Sequence, residues 1–153
     1  MEARLEEIDR CVPVNYIDQK EFLQAVTIAL AAVIKLAHRY AALARELASG
    51  SDDRENTSRL EAVAQTCDRV PEHPPQTLLE ALQSFFFIHV VRYIEYSTLG
   101  IGVRFDKVFG PYYELDFKEG RIARDEALEM LQLLWVKFHD LGLVYSPMLS
   151  GIY

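Results

Sequence analysis

The stretch that decides the fold is Thr77-Leu78-Leu79-Glu80-Ala81-Leu82-Gln83-Ser84-Phe85-Phe86-Phe87-Ile88-His89-Val90-Val91-Arg92-Tyr93-Ile94-Glu95. Thr77 and Glu80 stand three residues apart, as a capping box requires: a hydroxyl for the N3 amide and a carboxylate reaching back. Behind them the apolar residues cover nearly every face of a helix. A helix of that kind belongs inside a large core, because no side is left for water. Upstream, Val70-Pro71-Glu72-His73-Pro74-Pro75 places three prolines in five residues. Each lacks an N–H and restricts the residue before it, so this is a stiff connector between helices.

Two more helices precede the connector. The segment from Asp18, with Glu21 as a second capping-box carboxylate, carries Phe22, Ala25, Val26, Ala29, Val33, Leu36, Ala37, Tyr40, Leu43, Ala44 and Leu47 at helical spacing. Ser49-Gly50 stops it, giving about 30 residues and roughly 45 Å of helix. A second helix is expected from about Asp53 to Asp68, with Leu60, Val63, Ala64 and Cys67 on one face. Downstream of Glu95, Ser97 to Val103 contains glycines and suits one short strand. Phe105 to Phe117 reads as an aromatic-rich helix interrupted at Gly110-Pro111. Asp125 and Glu126 favour the positive end of a last helix dipole. That helix should bury Ala127, Leu128, Leu131, Leu134, Trp135 and Phe138 and stop near Gly142. The expected class is therefore mainly α, with at most one or two short strands. The expected organisation is a lead segment over 1–16, a helical pair over 17–69, the connector over 70–76, and the buried helix, strand segment and final helices over 77–153. The closing stretch has no sealing element, which reads as a truncated chain.

With 153 residues and a formal net charge of -7, the chain is a poor ligand for nucleic acid or an anionic membrane. The longest near-apolar run, Ala25 to Ile34, is about half of the roughly 20 residues a membrane span needs. The first residues, Met1-Glu2-Ala3-Arg4-Leu5-Glu6-Glu7, lack the apolar centre of a signal peptide, so a cytoplasmic location is expected. Cys11 and Cys67 lie far apart, with no Cys-x-x-Cys spacing and no disulfide framework.

The chemistry-bearing residues are sparse. His38, His73, His89 and His139 lack the i, i+4 spacing of a helical metal site, so no metal ligand is assigned. His89 and Arg92 share a helix face with Glu95 or Glu80 in reach, a polar seam on an apolar helix. Cys11 and Cys67 read as a structural thiol and a small hydrophobe, and no residue is assigned as catalytic. Leu99-Gly100-Ile101-Gly102 lacks the third glycine and helix start of a dinucleotide loop. Glu95-Tyr96-Ser97-Thr98 with Arg104-Phe105-Asp106 gathers polar groups beside the apolar helix. Two readings stay open for it: a structural ion pair, or the wall of a pocket.

Taken in order, Ala37-His38-Arg39-Tyr40-Ala41-Ala42-Leu43-Ala44, Cys67-Asp68-Arg69-Val70-Pro71, Glu80-Ala81-Leu82-Gln83-Ser84, Ile94-Glu95, Arg104-Phe105-Asp106, Pro111-Tyr112-Tyr113 and Glu126 to Lys137 form a series. It resembles the pyruvate formate-lyase domain of glycyl radical enzymes, especially the diol dehydratase and decarboxylase branch, over about Tyr16 to Tyr153. The resemblance implies the outer-helix and early-barrel part of a ten-stranded α/β barrel. It implies a glycyl radical, installed by an iron–sulfur activating enzyme that uses S-adenosylmethionine. It further implies a central cysteine that takes hydrogen from a small organic acid or alcohol. Both the cysteine and glycine motifs would lie beyond Tyr153, leaving this chain inactive alone. The remainder of the parent enzyme, the activating enzyme and the substrate are the implied partners, and the full-length family implies a homodimer. In many members a Gly-His-Ser precedes Arg-Phe-Asp and contacts a hydroxylated substrate. Here Ser97, Thr98, Leu99 and Gly100 fall in that stretch and become the candidate substrate-binding residues. The His–Ser pair is absent, which turns the expectation away from glycerol-like substrates. Arg104 and Asp106 are expected to hold the strand end as a structural pair. The rival expectation is a non-catalytic helical module, or a split subunit docking with the rest of such an enzyme.

Overall fold

The computed structural model describes residues 16–95 and 102–141. They form five helices: α1 (Tyr16–Ser49), α2 (Arg54–Arg69), α3 (Leu78–Glu95), α4 (Phe105–Lys118) and α5 (Arg124–Asp140). No strand occurs among the described residues. The stretch expected as a strand lies outside them except for Gly102 and Val103, which are irregular.

Helices α1 and α2 form an antiparallel pair. Small side chains set its closeness: Val33, Ala37, Ala41, Ala44 and Ala48 recur every three or four residues along α1 and are buried. Ala64, Thr66 and Cys67 meet them from α2. Two polar contacts run along the seam, the ion pair of Arg45 with Asp68 and the approach of His38 Nε2 to Glu72 Oε2 at 2.9 Å. By length and composition alone, Asp18–Ser49 is long and apolar enough to cross a membrane, although its longest near-apolar run is only Ala25 to Ile34. The helix beside it, Arg-Glu-Asn-Thr-Ser-Arg-Leu-Glu-Ala-Val-Ala-Gln-Thr-Cys-Asp-Arg, is too charged to follow it into hydrocarbon.

Helix α3 belongs to two cores. Phe87 and Val91 pack with Val33, Ala37, Ala41 and Cys67, tying it to the first pair. Leu78, Ala81 and Leu82 pack with Phe109 of α4, Ile122, and Ala127 and Leu134 of α5. Its near-continuous apolar surface is explained by this double duty, but its burial is incomplete. Leu79 and Ile88 are exposed and Ile94 is 75% exposed.

The caps explain the boundaries. Asp53 accepts from Glu55 N at 3.0 Å and starts α2. Thr77 Oγ1 accepts from Glu80 N at 3.2 Å, while the Glu80 carboxylate reaches back one residue further, to Gln76 N at 2.7 Å. Gly120, at φ 69, ends α4: its N–H donates to Phe117 O, and that of Arg121 donates to Asp116 O. This left-handed closure is why glycine stands there.

Several expectations are corrected. Asp18 lies inside the first turn of α1 rather than capping it. Helix α4 runs unbroken through Gly110-Pro111. Gly110, having no Cβ, removes one of the clashes a proline ring makes with the residue before it, while the missing Pro111 N–H still costs the helix one hydrogen bond. Val63, Leu128 and Trp135 are exposed rather than facing the core.

The uncovered apolar side chains give a direct expectation. Phe22, Ile28, Leu43, Leu47, Ile94, Leu128, Leu133, Trp135 and Val136 are all exposed. Each would gain about 1.5–3 kcal/mol from full burial. Single exposed apolar residues are ordinary, but clusters of them favour association. The chain by itself should self-associate and enhance the fluorescence of a hydrophobic dye. A monodisperse, dye-silent monomer by light scattering would contradict this.

Candidate functional site

Of the residues expected at a site, Ser97, Thr98, Leu99 and Gly100 lie outside the described residues. Arg104 and Asp106 are described, at the very start of α4. Arg104 Nε donates to Asp106 Oδ1 at 3.1 Å and its Nη2 to Oδ2 at 2.8 Å. The fork matches the carboxylate in the way that makes such pairs directional. The guanidinium holds the Asp106 carboxyl below its ordinary pKa, and the carboxylate raises that of Arg104. Both side chains are open to water. Their geometry therefore orients the backbone that enters α4 more than it stabilises the fold.

Behind this entry lies a cluster of rings. Phe105 stacks on Trp135 at 5.5 Å, contacts Phe109 at 5.0 Å, and meets the edge of Phe85 at 6.0 Å. Phe85 also meets Phe109 edge-on at 5.5 Å and Phe138 at 6.1 Å. Offset and edge-on arrangements at these separations are the favourable ones for aromatic pairs. The middle of α3, the first two turns of α4 and the last half of α5 thus meet in one aromatic junction. Residues 96–101 connect two of those three elements. An apolar cleft of about 330 Å³ opens beside the junction, lined chiefly by Phe105, Phe109, Tyr113, Ala127, Leu128 and Leu131.

His89 sits in the junction. Its ring centroid is 4.5 Å from that of Phe138 and 6.1 Å from that of Phe85. Nδ1 is buried without a hydrogen-bond partner among the described residues. Burial pushes the imidazole below its ordinary pKa. Of the two carboxylates expected in reach of the His89 and Arg92 seam, the Glu95 side chain lies outside the described residues, and Glu80 is engaged elsewhere. Glu80 is held by Arg69 Nε at 3.2 Å and by Gln76 N.

One residue that sequence reasoning missed is Asp116, only 3% exposed. Its Oδ2 accepts from Leu78 N at 2.7 Å, and its Oδ1 accepts from Arg121 Nε at 2.8 Å. A carboxylate on α4 therefore caps the N-terminus of α3, where the helix dipole favours negative charge. The available signal was its position: Phe109, Tyr112, Tyr113 and Asp116 share one stripe. A carboxylate on an apolar stripe demands a partner.

No group of three His, Cys, Asp or Glu side chains suited to a metal occurs among the described residues. Cys67 is buried and its thiol is pushed up by desolvation, an inert environment for a nucleophile.

The whole arrangement matches known proteins closely. The pyruvate formate lyase-like family model covers residues 1–152. Trans-4-hydroxy-L-proline dehydratase of Clostridioides difficile is 37% identical over 92% of this chain and 18% of its own length. Isethionate sulfite-lyase of Nitratidesulfovibrio vulgaris is 40% identical over 84% of this chain and 16% of its own. A solved glycyl radical enzyme from Archaeoglobus fulgidus superposes with a TM-score of 0.81 at 33% identity, over 90% of this chain and 18% of that one. The chain thus spans less than a fifth of the length of these relatives. With two curated relatives, a solved structure and a family model all meeting on the same helices, the chain belongs to the pyruvate formate lyase-like family of glycyl radical enzymes.

Proposed function

We propose that this chain serves as the helical portion of a glycyl radical lyase or dehydratase that acts on a small organic acid or alcohol, and that it is inactive alone. The observation that carries the reading is the family match over residues 1–152, together with relatives several times longer that are a dehydratase and a sulfite-lyase. The radical glycine and the hydrogen-abstracting cysteine are assigned to the remainder of the parent. Neither Cys11 nor the buried Cys67 is given that role. When installed by an S-adenosylmethionine iron–sulfur activating enzyme, the glycyl radical supplies the hydrogen-atom chemistry. The residues here supply placement. The parent enzyme is read as a cytoplasmic homodimer.

Within that reading, Ser97, Thr98, Leu99 and Gly100 line the substrate, and the Arg104–Asp106 pair fixes the strand end without moving protons. The aromatic junction supports this, because it grips α3 and α4 on either side of the segment. This wall lacks the His–Ser pair and sets Leu99 and Ile101 beside the Ser97 and Thr98 hydroxyls. A site built to bind a hydroxyl rejects an analogue lacking it by about 10⁴–10⁵, whereas an apolar wall discriminates by only about 10–200 per methylene. A less hydroxylated or aromatic substrate therefore suits it better than glycerol. The exposed apolar faces favour a second reading as well, a non-catalytic split subunit that docks on the rest of such an enzyme.

Electron paramagnetic resonance tests the first reading. Incubated anaerobically with an activating enzyme and S-adenosylmethionine, this chain alone should give no organic radical. Joined to the remainder of its parent, it should give a glycyl doublet and turnover. A radical on the isolated chain, or a parent that activates and turns over equally well without these residues, would sink the proposal.

A further inference from the structure

His89 lies where α5 crosses the second half of α3, with its ring against Phe138 and Phe85. Its Nδ1 is buried with no partner among the described residues. A neutral imidazole tolerates this position, since one ring nitrogen can remain an acceptor without carrying charge. An imidazolium is penalised there, because protonation puts an N–H donor at the buried Nδ1, which has no acceptor among the described residues, and sets charge against the Phe138 and Phe85 rings.

Among the described side chains, to which that of Glu95 does not belong, the surrounding charges offer no rescue. On α5, Lys137 Nζ donates to Asp140 Oδ2 at 3.1 Å on the exposed side, and His139 is also exposed. On α4, Asp106 is taken by Arg104. On α3, Arg92 is a cation, and Glu80 is engaged by Arg69. Aromatic faces attract cations, but the Phe138 ring is tilted 47° from the imidazole plane and also packs against Phe86 and Trp135. The loss of hydration dominates.

We propose that His89 is an acid-sensitive latch between α3 and α5: neutral, it fills the space between Phe85 and Phe138; protonated, it releases the last half of α5. Burial lowers the affinity of this imidazole for a proton in the folded chain. The unfolded chain takes up the proton near the ordinary value of 6.5 and the folded chain only at lower pH. The latch is therefore fully effective above 6.5 and weakens as pH falls through the folded pKa. It requires no substrate and no radical, so it stands apart from the assignment of the reaction.

Trp135 is the single tryptophan of the chain and its ring lies 5.5 Å from that of Phe138, which makes it a built-in reporter. The test titrates its emission in the full chain from about pH 8 to about pH 5, where the groups that change charge are the histidines and the N-terminal amine. The expected result is one transition with its midpoint below 6.5, accompanied by a falling melting temperature. His89→Phe keeps a ring in place and should abolish the transition. His89→Leu serves the same purpose if the larger ring prevents folding. His139→Gln, which removes the exposed histidine one turn beyond Trp135, should leave it unchanged. A flat wild-type titration, a transition that survives in both His89 variants, one lost in His139→Gln, or a melting temperature that rises on acidification would each overturn the latch.

Discussion

Replacing Phe109 by alanine should lower the melting temperature of the chain by roughly 6–20 °C. The ring is buried in the core formed by Leu78, Ala81, Leu82, Ile122, Ala127 and Leu134. It meets Phe85 edge-on at 5.5 Å and Phe105 at 5.0 Å. Truncating a buried phenylalanine costs about 3–5 kcal/mol, through lost transfer energy and a cavity the neighbours only partly fill. For a chain of this size, each kcal/mol moves the midpoint by about 2–4 °C. The cleft beside Phe109 limits collapse, because Gly110 has no side chain to swing inward. Phe109→Leu should cost less than about 1.5 kcal/mol. Phe117→Ala, at an exposed ring on the same helix, should stay within about 0.5 kcal/mol. Thermal unfolding followed by circular dichroism gives the answer. Equal effects for Phe109→Ala and Phe117→Ala would mean that α4 is not seated on this core.

The two phenylalanines also show what the sequence could and could not convey. Helical spacing placed both in one aromatic-rich helix, and the helix is there. Spacing alone could not say which residues face α3, since Gly110-Pro111 suggested a break that would have reset the register. The same ambiguity misassigned Trp135 and Leu128 to the core. Their stripe was visible, but whether it meets this chain or something else depends on partners outside the sequence. The prolines at 71, 74 and 75 were legible because their effects are local, fixed by a ring that sets φ and removes an N–H. The double role of α3 was legible only as a surfeit of apolar residues. Which face meets α1 and which meets α5 is a tertiary fact. The candidate site was least legible. Arg104 and Asp106 were near enough in sequence to be paired on paper, whereas Asp116 and Leu78 are 38 residues apart and meet only through the fold.

Asp116 is the second position where a large effect is expected. Its carboxylate takes the Leu78 N–H and the Arg121 guanidinium together, and the bond to Leu78 is buried. Asp116→Ala removes the acceptor and leaves a backbone donor in the core with nothing to satisfy it. That residual group costs about 1–3 kcal/mol, and the loss of an N-cap contributes about 1 kcal/mol of the same total. Arg121 is part-exposed and retains Glu119 as a partner, so its share is discounted for solvent. The sum should be about 2–3 kcal/mol, or roughly 4–12 °C in midpoint. Asp116→Asn separates the contributions. The amide oxygen can still accept from Leu78 N while the charge is gone, so about half of the loss should return. Asp68→Ala, which breaks the exposed pair with Arg45, sets the scale for a surface ion pair at about 0–1 kcal/mol. Hydrogen exchange at the Leu78 amide reads the cap directly: protection should fall in Asp116→Ala more than in Asp68→Ala. If the Leu78 amide stays protected without Asp116, the capping of α3 by α4 is refuted, and α3 and α4 must be held together by apolar contacts such as those of Leu78, Phe85 and Phe109.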